Sequence, residues 1–375
     1  MPDANRGPGS GDAIHRVVIA GGGTGGHLYP GIAVAHALHK RHPDARITFV
    51  GTARGIEARI VPQEGFELDI IRSAGLKGKS AGAVARGVGL LPLSGLDAWQ
   101  VLTRRRPGLV IGVGGYSSGP VVALAAARGI PTLLLEQNAT PGLTNRWLAR
   151  LVDAAAVTYE SSLRFFHGHG FVAGNPVREA FLAIPPRPPA IGIERRVLVF
   201  GGSQGAHAIN QAMVAAAAFL RDLPGTSIVH QTGERDAANV SRGYADAGVT
   251  ADVRAFISDM PQQMREADLV VCRAGATTLA ELTAAGRTAI LIPLPHATDD
   301  HQRANARTVE AAGAAVMLDE SELTAERLAS EVRRLLTDDD RRHGMATRAR
   351  GLARPDAAVV IATRAAALLH GAVPA

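Results

Sequence analysis

Short apolar runs alternate with helically spaced stretches from one end of the chain to the other. In the first half the runs fall at 16–20, 47–50, 68–71, 109–111, 132–135 and 154–157. Apolar positions three and four apart fill the gaps near 31–41, 55–63, 82–104, 119–128 and 142–150. A run that is apolar at every position reads as a strand buried on both faces, and its alternation with helices reads as βαβ units in a parallel sheet. The pattern breaks from Gly170 into Ile184-Pro-Pro-Arg-Pro-Pro-Ala190, a proline density that marks a linker or extended connection. It then restarts, with runs at 196–200, 227–231, 252–255, 269–271, 289–292 and 315–318 and a helix over 206–220. The expected fold is α/β, two Rossmann-like parallel-sheet domains facing across a cleft. The first spans 15–176, the second 177–354, and a last amphipathic helix at 355–375 crosses back to the first. Residues 1–14, polar and rich in Gly and Pro, are expected to be a disordered tail.

The strand at 16–20 runs straight into Gly21-Gly-Gly-Thr-Gly-Gly-His27, and helical spacing begins at Ile32. A glycine turn at a helix N-terminus brings backbone N–H groups close to an anion. Thr24 can cap that helix, and Pro30 is tolerated early in it. His27 stands at the mouth of the turn, where a titratable side chain could reach a substrate. The spacing is neither G-x-G-x-x-G nor a P-loop, so a tight turn with a surface histidine is the plain alternative.

Other polar loops also follow strands. Gly112-Val-Gly-Gly-Tyr-Ser-Ser-Gly-Pro120 places Tyr116 among glycines, where it has little to pack on; a turn with a serine cap is the alternative. Glu136-Gln-Asn138 leads to Gly142-Leu-Thr-Asn145, and such polar groups at the end of an apolar strand bind a ligand or one another. Gly201-Gly-Ser-Gln-Gly-Ala206 repeats the first device, with Ser203 placed for a phosphate. Cys272-Arg-Ala-Gly-Ala-Thr-Thr-Leu-Ala-Glu-Leu282 reads as strand end, loop and helix. Glu281 there suits ribose hydroxyls or is an exposed helical glutamate, and Cys272 is a small buried hydrophobe. Asp299, Asp300, His301, Gln302 and Asn305 could read sugar hydroxyls. A metal site at His296, Asp299 and His301 lacks further ligands at suitable spacing. Arg178 is a phosphate partner or a solvated arginine.

Composition narrows the classes. The chain has 375 residues, 46% hydrophobic, and a net charge of +6, which suits phosphate-bearing ligands or an anionic membrane surface. Aromatics at 4% argue against a stacking platform for nucleic acid. Cys272 is the one cysteine, which excludes an internal disulfide and fits a reducing compartment. No apolar stretch is long enough to span a bilayer, which needs about 18 residues or more. Residues 84–102, between Leu76-Lys-Gly-Lys79 and Arg104-Arg-Arg106, suit an interfacial membrane segment or a buried crossover helix with a basic end.

Taken together and in order, Gly22-Gly-Thr-Gly-Gly-His27, Gly114-Gly-Tyr-x-Ser-Gly-Pro120, Glu136-Gln-Asn138 with Gly142-Leu-Thr-Asn145, Gly201-Gly-Ser-Gln-Gly-Ala206, Arg273-x-Gly-Ala276 with Glu281, and Asp300-x-Gln302 with Asn305 resemble the MurG family of bacterial peptidoglycan N-acetylglucosaminyltransferases. The resemblance runs from about residue 15 to the C-terminus. It implies a GT-B fold with the active site between the domains, and transfer of GlcNAc from UDP-GlcNAc to the 4-hydroxyl of MurNAc in undecaprenyl-diphosphate-MurNAc-pentapeptide. The acceptor is lipid I and the product lipid II, with inversion at the anomeric carbon. It also implies a peripheral place on the cytoplasmic side of the cell membrane and a part in cell-wall biogenesis, shape and division. Partner proteins of the wall and division machinery are left open. No cofactor and no metal are implied.

Carried over by position, Thr24, Gly25 and Gly26 resemble the glycine loop at the donor diphosphate and acceptor side. Asn138 resembles a donor contact, and Arg178 and Ser203 resemble phosphate contacts. Ile257 resembles the residue whose backbone meets uracil. Ala276, Thr277, Thr278, Leu279 and Ala280 resemble the helix-start donor loop, with Glu281 on the ribose. Gln302 and Asn305 resemble GlcNAc contacts, and Asp299 or Asp300 matches the family aspartate. His27 is the expected base, oriented by Glu136. Two other classes stay open: another UDP-sugar enzyme of the same architecture, such as a UDP-GlcNAc epimerase or a different glycosyltransferase, and a non-catalytic nucleotide-sugar-binding module.

Overall fold

The computed structural model describes residues 16–73, 90–187, 194–202, 204–295 and 300–369. The expected tail at 1–14, the basic Leu76–Lys79 stretch, Ser203, His296 and Asp299 lie outside the described residues.

The chain divides into two compact units at 176/177 and 355/356. The first contains β1 (Arg16–Gly21), α1 (Gly25–Arg41), β2 (Arg46–Gly51), α2 (Glu57–Gln63), β3 (Glu67–Ile70), α3 (Leu91–Arg105), β4 (Leu109–Gly114), α4 (Ser118–Ala127), β5 (Thr132–Glu136), α5 (Leu143–Leu148), β6 (Ala154–Val157) and β7 (Gly170–Val172). The second contains α6 (Glu179–Leu182), β8 (Arg195–Phe200), α7 (His207–Ala217), β9 (Thr226–Gln231), α8 (Ala237–Asp246), β10 (Ala251–Arg254), α9 (Met260–Glu266), β11 (Leu269–Cys272), α10 (Ala276–Ala285), β12 (Ala289–Leu291), α11 (His301–Ala311), β13 (Ala315–Met317), α12 (Ala325–Thr337) and α13 (Asp339–Gly351). The last helix, α14 (Ala357–Leu369), belongs to the first unit, where Arg41 on α1 donates to Thr363 Oγ1 at 3.1 Å.

Sheet order in the first unit is β3-β2-β1-β4-β5-β6-β7, and in the second β10-β9-β8-β11-β12-β13. The pairings are parallel throughout. Unbroken apolar runs follow from this, because each strand must bury both faces. Val17 and Ile19 pack with α1 and α14, whereas Val18 and Ala20 pack with α3, α4 and α5. In the second unit Leu198 and Phe200 face one core, Val197 and Val199 the other. In both sheets the chain leaves the first strand in one direction and returns to the other side, which makes β1/β4 and β8/β11 the switch points. Ligands of doubly wound sheets bind outside the carboxyl ends of the strands at such points.

The structure differs from the pattern in two places. Helix α1 starts at Gly25 rather than near residue 31, so Gly25, Gly26 and His27 form its first turn. Strand β7 lies inside the stretch read as a break, because three half-buried residues beside a glycine carry no readable alternation.

Candidate functional site

In the first unit the loops after β1 and β4 interlock. Gly22 N–H donates to the Gly114 carbonyl at 3.3 Å. Gly114 has φ +93°, and a Cβ there would lie 2.7 Å from His27 Cδ2, so only glycine lets the imidazole lie on that backbone. Thr24 is the N-cap of α1, yet its side chain makes no capping bond. Its Oγ1 instead lies 3.3 Å from His27 Nδ1, which ties the orientation of the ring to Thr24. Tyr116 is exposed beside them, while Ser117 and Ser118 are buried.

Beneath this loop lies a residue that motif reading missed. Glu57 is fully buried, and its carboxylate accepts from Gly23 N at 2.7 Å and from Thr52 N and Oγ1 at 2.8 and 3.0 Å. It fills space left by Gly22, Gly51 and Gly55, where any Cβ would fall within 2.7 Å of it. The three glycines flanking a lone glutamate are the signal that could have found it.

Glu136 does not orient His27. Its carboxylate accepts from Asn138 N at 2.9 Å and Gly142 N at 3.1 Å in its own loop, and from Asn145 Nδ2 at 2.9 Å in α5. Burial pushes its pKa above the usual carboxylate value, and those hydrogen bonds oppose the shift. Gln137 donates to the Val113 carbonyl at 3.1 Å and fastens this loop to the end of β4. The half-buried Asn138 donates from Nδ2 to Glu136 Oε1 at 3.3 Å.

In the second unit, α7 and α10 start at the β8/β11 switch point. Gly205 has φ +73° and approaches Thr232 so closely that a Cβ would lie 1.8 Å from its carbonyl oxygen. A buried polar chain supports that contact. Tyr244 Oη lies 2.9 Å from His230 Nδ1, His230 Nε2 lies 3.1 Å from Asn210 Oδ1, and Asn210 Nδ2 donates to the Thr232 carbonyl at 3.0 Å and to Asp236 at 2.8 Å. Burial pushes His230 down to about 3, so it is neutral. Gln231 donates to the Gly202 carbonyl at 2.7 Å and accepts from Ile257 N at 2.7 Å, joining the glycine loop to the loop after β10. The N–H of Ile257 is therefore already used, and its carbonyl is the group left for a ligand.

At α10 the residues separate by role. The N-cap Gly275 is extended, and the first-turn N–H groups of Ala276, Thr277 and Thr278 have no intrahelical acceptor. Leu279 is a core residue, so only its backbone can serve a ligand; Ala280 is partly buried against the same core. Glu281 is buried, not an exposed helical glutamate, and it is ion-paired with Arg178 at 2.6 Å. Arg178 is thus not merely solvated, and its guanidinium also lies 4.7 Å from the Phe181 ring centroid. Cys272 is fully buried, and burial pushes its thiol up to about 12, as a small hydrophobe requires.

Two sugar-contact expectations change. Asn305 is fully buried and donates to the Ala274 carbonyl at 3.4 Å, so it supports the loop after β11 instead of meeting a sugar. Gln302 Oε1 accepts from Leu294 N at 3.0 Å and Ala274 N at 3.3 Å, which leaves its amide NH2 for a ligand. Asp300 stands at the N-cap position of α11 with φ +54°, makes no capping hydrogen bond with its side chain, and lies 3.6 Å from Arg303 Nε. Among the described residues no cluster of His, Cys, Asp or Glu is arranged to hold a metal ion, and no helix is long and apolar enough to cross a membrane.

Residues 17–157 match the glycosyltransferase family 28 N-terminal domain and residues 196–361 its C-terminal domain. A relative from Anaeromyxobacter sp. (strain K) is 49% identical over 92% of this chain and 91% of its own length. It is named UDP-N-acetylglucosamine--N-acetylmuramyl-(pentapeptide) pyrophosphoryl-undecaprenol N-acetylglucosamine transferase. One of the same name from Myxococcus xanthus (strain DK1622) is also 49% identical over 92% and 91%. The chain belongs to the MurG family. The crystal structure of Acinetobacter baumannii MurG is 31% identical, with TM-score 0.75 over 93% of this chain and 98% of that one. A Neisseria meningitidis UDP-GlcNAc 2-epimerase shares the fold at TM-score 0.65, over 93% and 98%, with 12% identity. Fold alone therefore does not separate transferase from epimerase, and membership in the MurG family does.

Proposed function

We propose that the MurG reaction is divided between the two units, with the acceptor, its base and one donor contact, Asn138, on the first and the remaining donor contacts on the second. In that reaction, which family membership gives this chain, GlcNAc moves from UDP-GlcNAc to the 4-hydroxyl of MurNAc in lipid I, for peptidoglycan synthesis. The hydroxyl oxygen attacks the anomeric carbon opposite the leaving group. The bond from that carbon to the β-phosphate oxygen breaks, its electron pair leaves with UDP, and the configuration inverts.

The observation that carries this reading is the imidazole of His27 lying on Gly114 at the β1/β4 switch point. With Nδ1–H donating to Thr24 Oγ1, Nε2 carries the lone pair and takes the acceptor proton. The Gly22–Gly26 backbone and Tyr116 serve the acceptor, and Glu57 holds the loop in shape. On the second unit the α10 N-terminus and the Gly201–Gly205 loop, with Ser203, stabilise the diphosphate charge as it develops. Arg178 adds a guanidinium for a phosphate, Glu281 serves the ribose, and the Ile257 carbonyl serves the base. Asn138 and the Gln302 amide serve the sugar.

The chain also works at an anionic membrane surface, on the cytoplasmic side. Helix α3 buries Ala98, Val101 and Leu102 but exposes Leu93, Leu96 and Trp99, and Arg128 stacks 4.8 Å from the Trp99 ring. Basic residues beside the exposed apolar ones of α3 favour anionic lipid.

Transfer of radiolabelled GlcNAc to a lipid I analogue, with a control lacking acceptor, tests the assignment. Label in lipid that depends on acceptor is expected. Consumption of UDP-GlcNAc without acceptor would overturn it in favour of an epimerase or hydrolase.

A further inference from the structure

The strands of the first unit begin at the edge opposite its glycine loops. Arg16 opens β1 and Arg46 opens β2, and the two are in register on adjacent parallel strands. Their side chains therefore leave the same face of the sheet, and both line a cavity of about 470 Å³. Volumes of roughly 300–1,000 Å³ are those of small-molecule sites. Arg104 and Arg105 line it too, but both are neutralised: each pairs with Asp69 at 2.8 Å, and Arg105 also pairs with Glu67. Arg16 and Arg46 have no hydrogen-bond or ion-pair partner for their guanidinium groups among the described residues. Like charges directly opposite on neighbouring strands repel. The rings of His36 and Phe66, 5.0 Å apart and tilted 55° to each other, line the same cavity.

We propose that this cavity binds a phosphate-bearing anion, with Arg16 and Arg46 as its two guanidinium ligands. Two forks with five donors each match phosphate oxygens, and an anion between them removes the repulsion. The site is not the catalytic one, because the length of β1 from Arg16 to Gly21 separates the two by about 16–17 Å. A soluble phosphate compound and a phospholipid headgroup share this chemistry.

The test is thermal unfolding of the full chain at constant ionic strength, with UDP saturating the donor site and pyrophosphate as the probe. The wild type is expected to show a Tm rise that reaches a plateau. Arg16→Gln and Arg46→Gln each remove one of two repelling charges, so each keeps or raises the Tm without pyrophosphate. Each is expected to shift the pyrophosphate midpoint about tenfold or more, as loss of one charge-assisted contact predicts. Flotation with phosphatidylglycerol vesicles separates the sources. Weaker flotation of Arg46→Gln, with competition by pyrophosphate in the wild type, assigns a headgroup; unchanged flotation with the shifted midpoint assigns a soluble ligand. The proposal is overturned if the wild type shows neither effect, or if both variants match it in both assays.

Discussion

Arg178 Nη2 lies 2.6 Å, and Arg178 Nε 3.0 Å, from the same oxygen of Glu281. The two residues expected on the phosphate and the ribose of the donor thus hold each other within the second unit. A lone buried carboxylate would lose its charge, and a lone arginine would sample many rotamers. Paired, the two side chains hold each other in place. Glu281→Gln removes the charge that holds Arg178, so KM for UDP-GlcNAc is expected to rise about 10- to 100-fold, the range for a hydrogen bond to a charged group. Burial raises the Glu281 pKa and Arg178 opposes the rise, so wild-type donor affinity begins to fall with decreasing pH earlier than an ordinary carboxylate would dictate. Donor titrations of both proteins between mildly acidic and neutral pH check this, and the variant should lose that dependence.

Glu136 gives a sharper separation of roles. Four donors converge on its carboxylate, from Asn138 N and Nδ2, Gly142 N and Asn145 Nδ2, so Glu136→Gln turns an amide NH2 toward one of them. The expected cost is about 1–3 kcal/mol of stability, read as a lower denaturant midpoint. The pH dependence of kcat should keep its shape, because the residue does not touch His27. A displaced pH profile would restore the orienting role.

Gly114→Ala places a methyl group 2.7 Å from His27 Cδ2 at a φ of +93°. The imidazole must leave its seat. A fall in kcat of about 10²-fold or more is expected, with UDP affinity unchanged because the groups that serve UDP lie on the other unit. Calorimetric titration of UDP into the variant supplies the second half of that test.

His230 governs an acid limb of stability. Its folded pKa is depressed to about 3, against about 6.5 for an unperturbed imidazole. The unfolded chain therefore binds the proton first. The stability that His230 contributes is complete above the unfolded value and is lost as pH falls toward the folded one. His230→Gln should flatten unfolding free energy across that window, measured by urea titration at stepped pH.

Much of this was legible in the sequence because buried parallel strands announce themselves. Val17 to Ala20 and Val197 to Phe200 need apolar groups on both faces, and glycine loops follow where helices must start close to a strand end. The start of α1 was not legible. Two glycines disfavour a helix locally, and packing decides otherwise: a Cβ on Gly25 would sit 3.1 Å from the Tyr29 ring, and one on Gly31 3.0 Å from Val113. Glu57 escaped because its partner Gly23 is 34 residues away. The motif points to Asn305 as a sugar contact, yet its side chain donates to the Ala274 carbonyl in the loop that carries the site.

The division of labour between the units is tested most directly by measuring kcat and the UDP-GlcNAc dissociation constant of His27→Ala side by side with the wild type. A general base on the acceptor side predicts a loss of about 10²- to 10⁴-fold in kcat, with the dissociation constant within about twofold. A collapse of donor affinity with kcat preserved would make His27 a donor-binding residue and contradict the account.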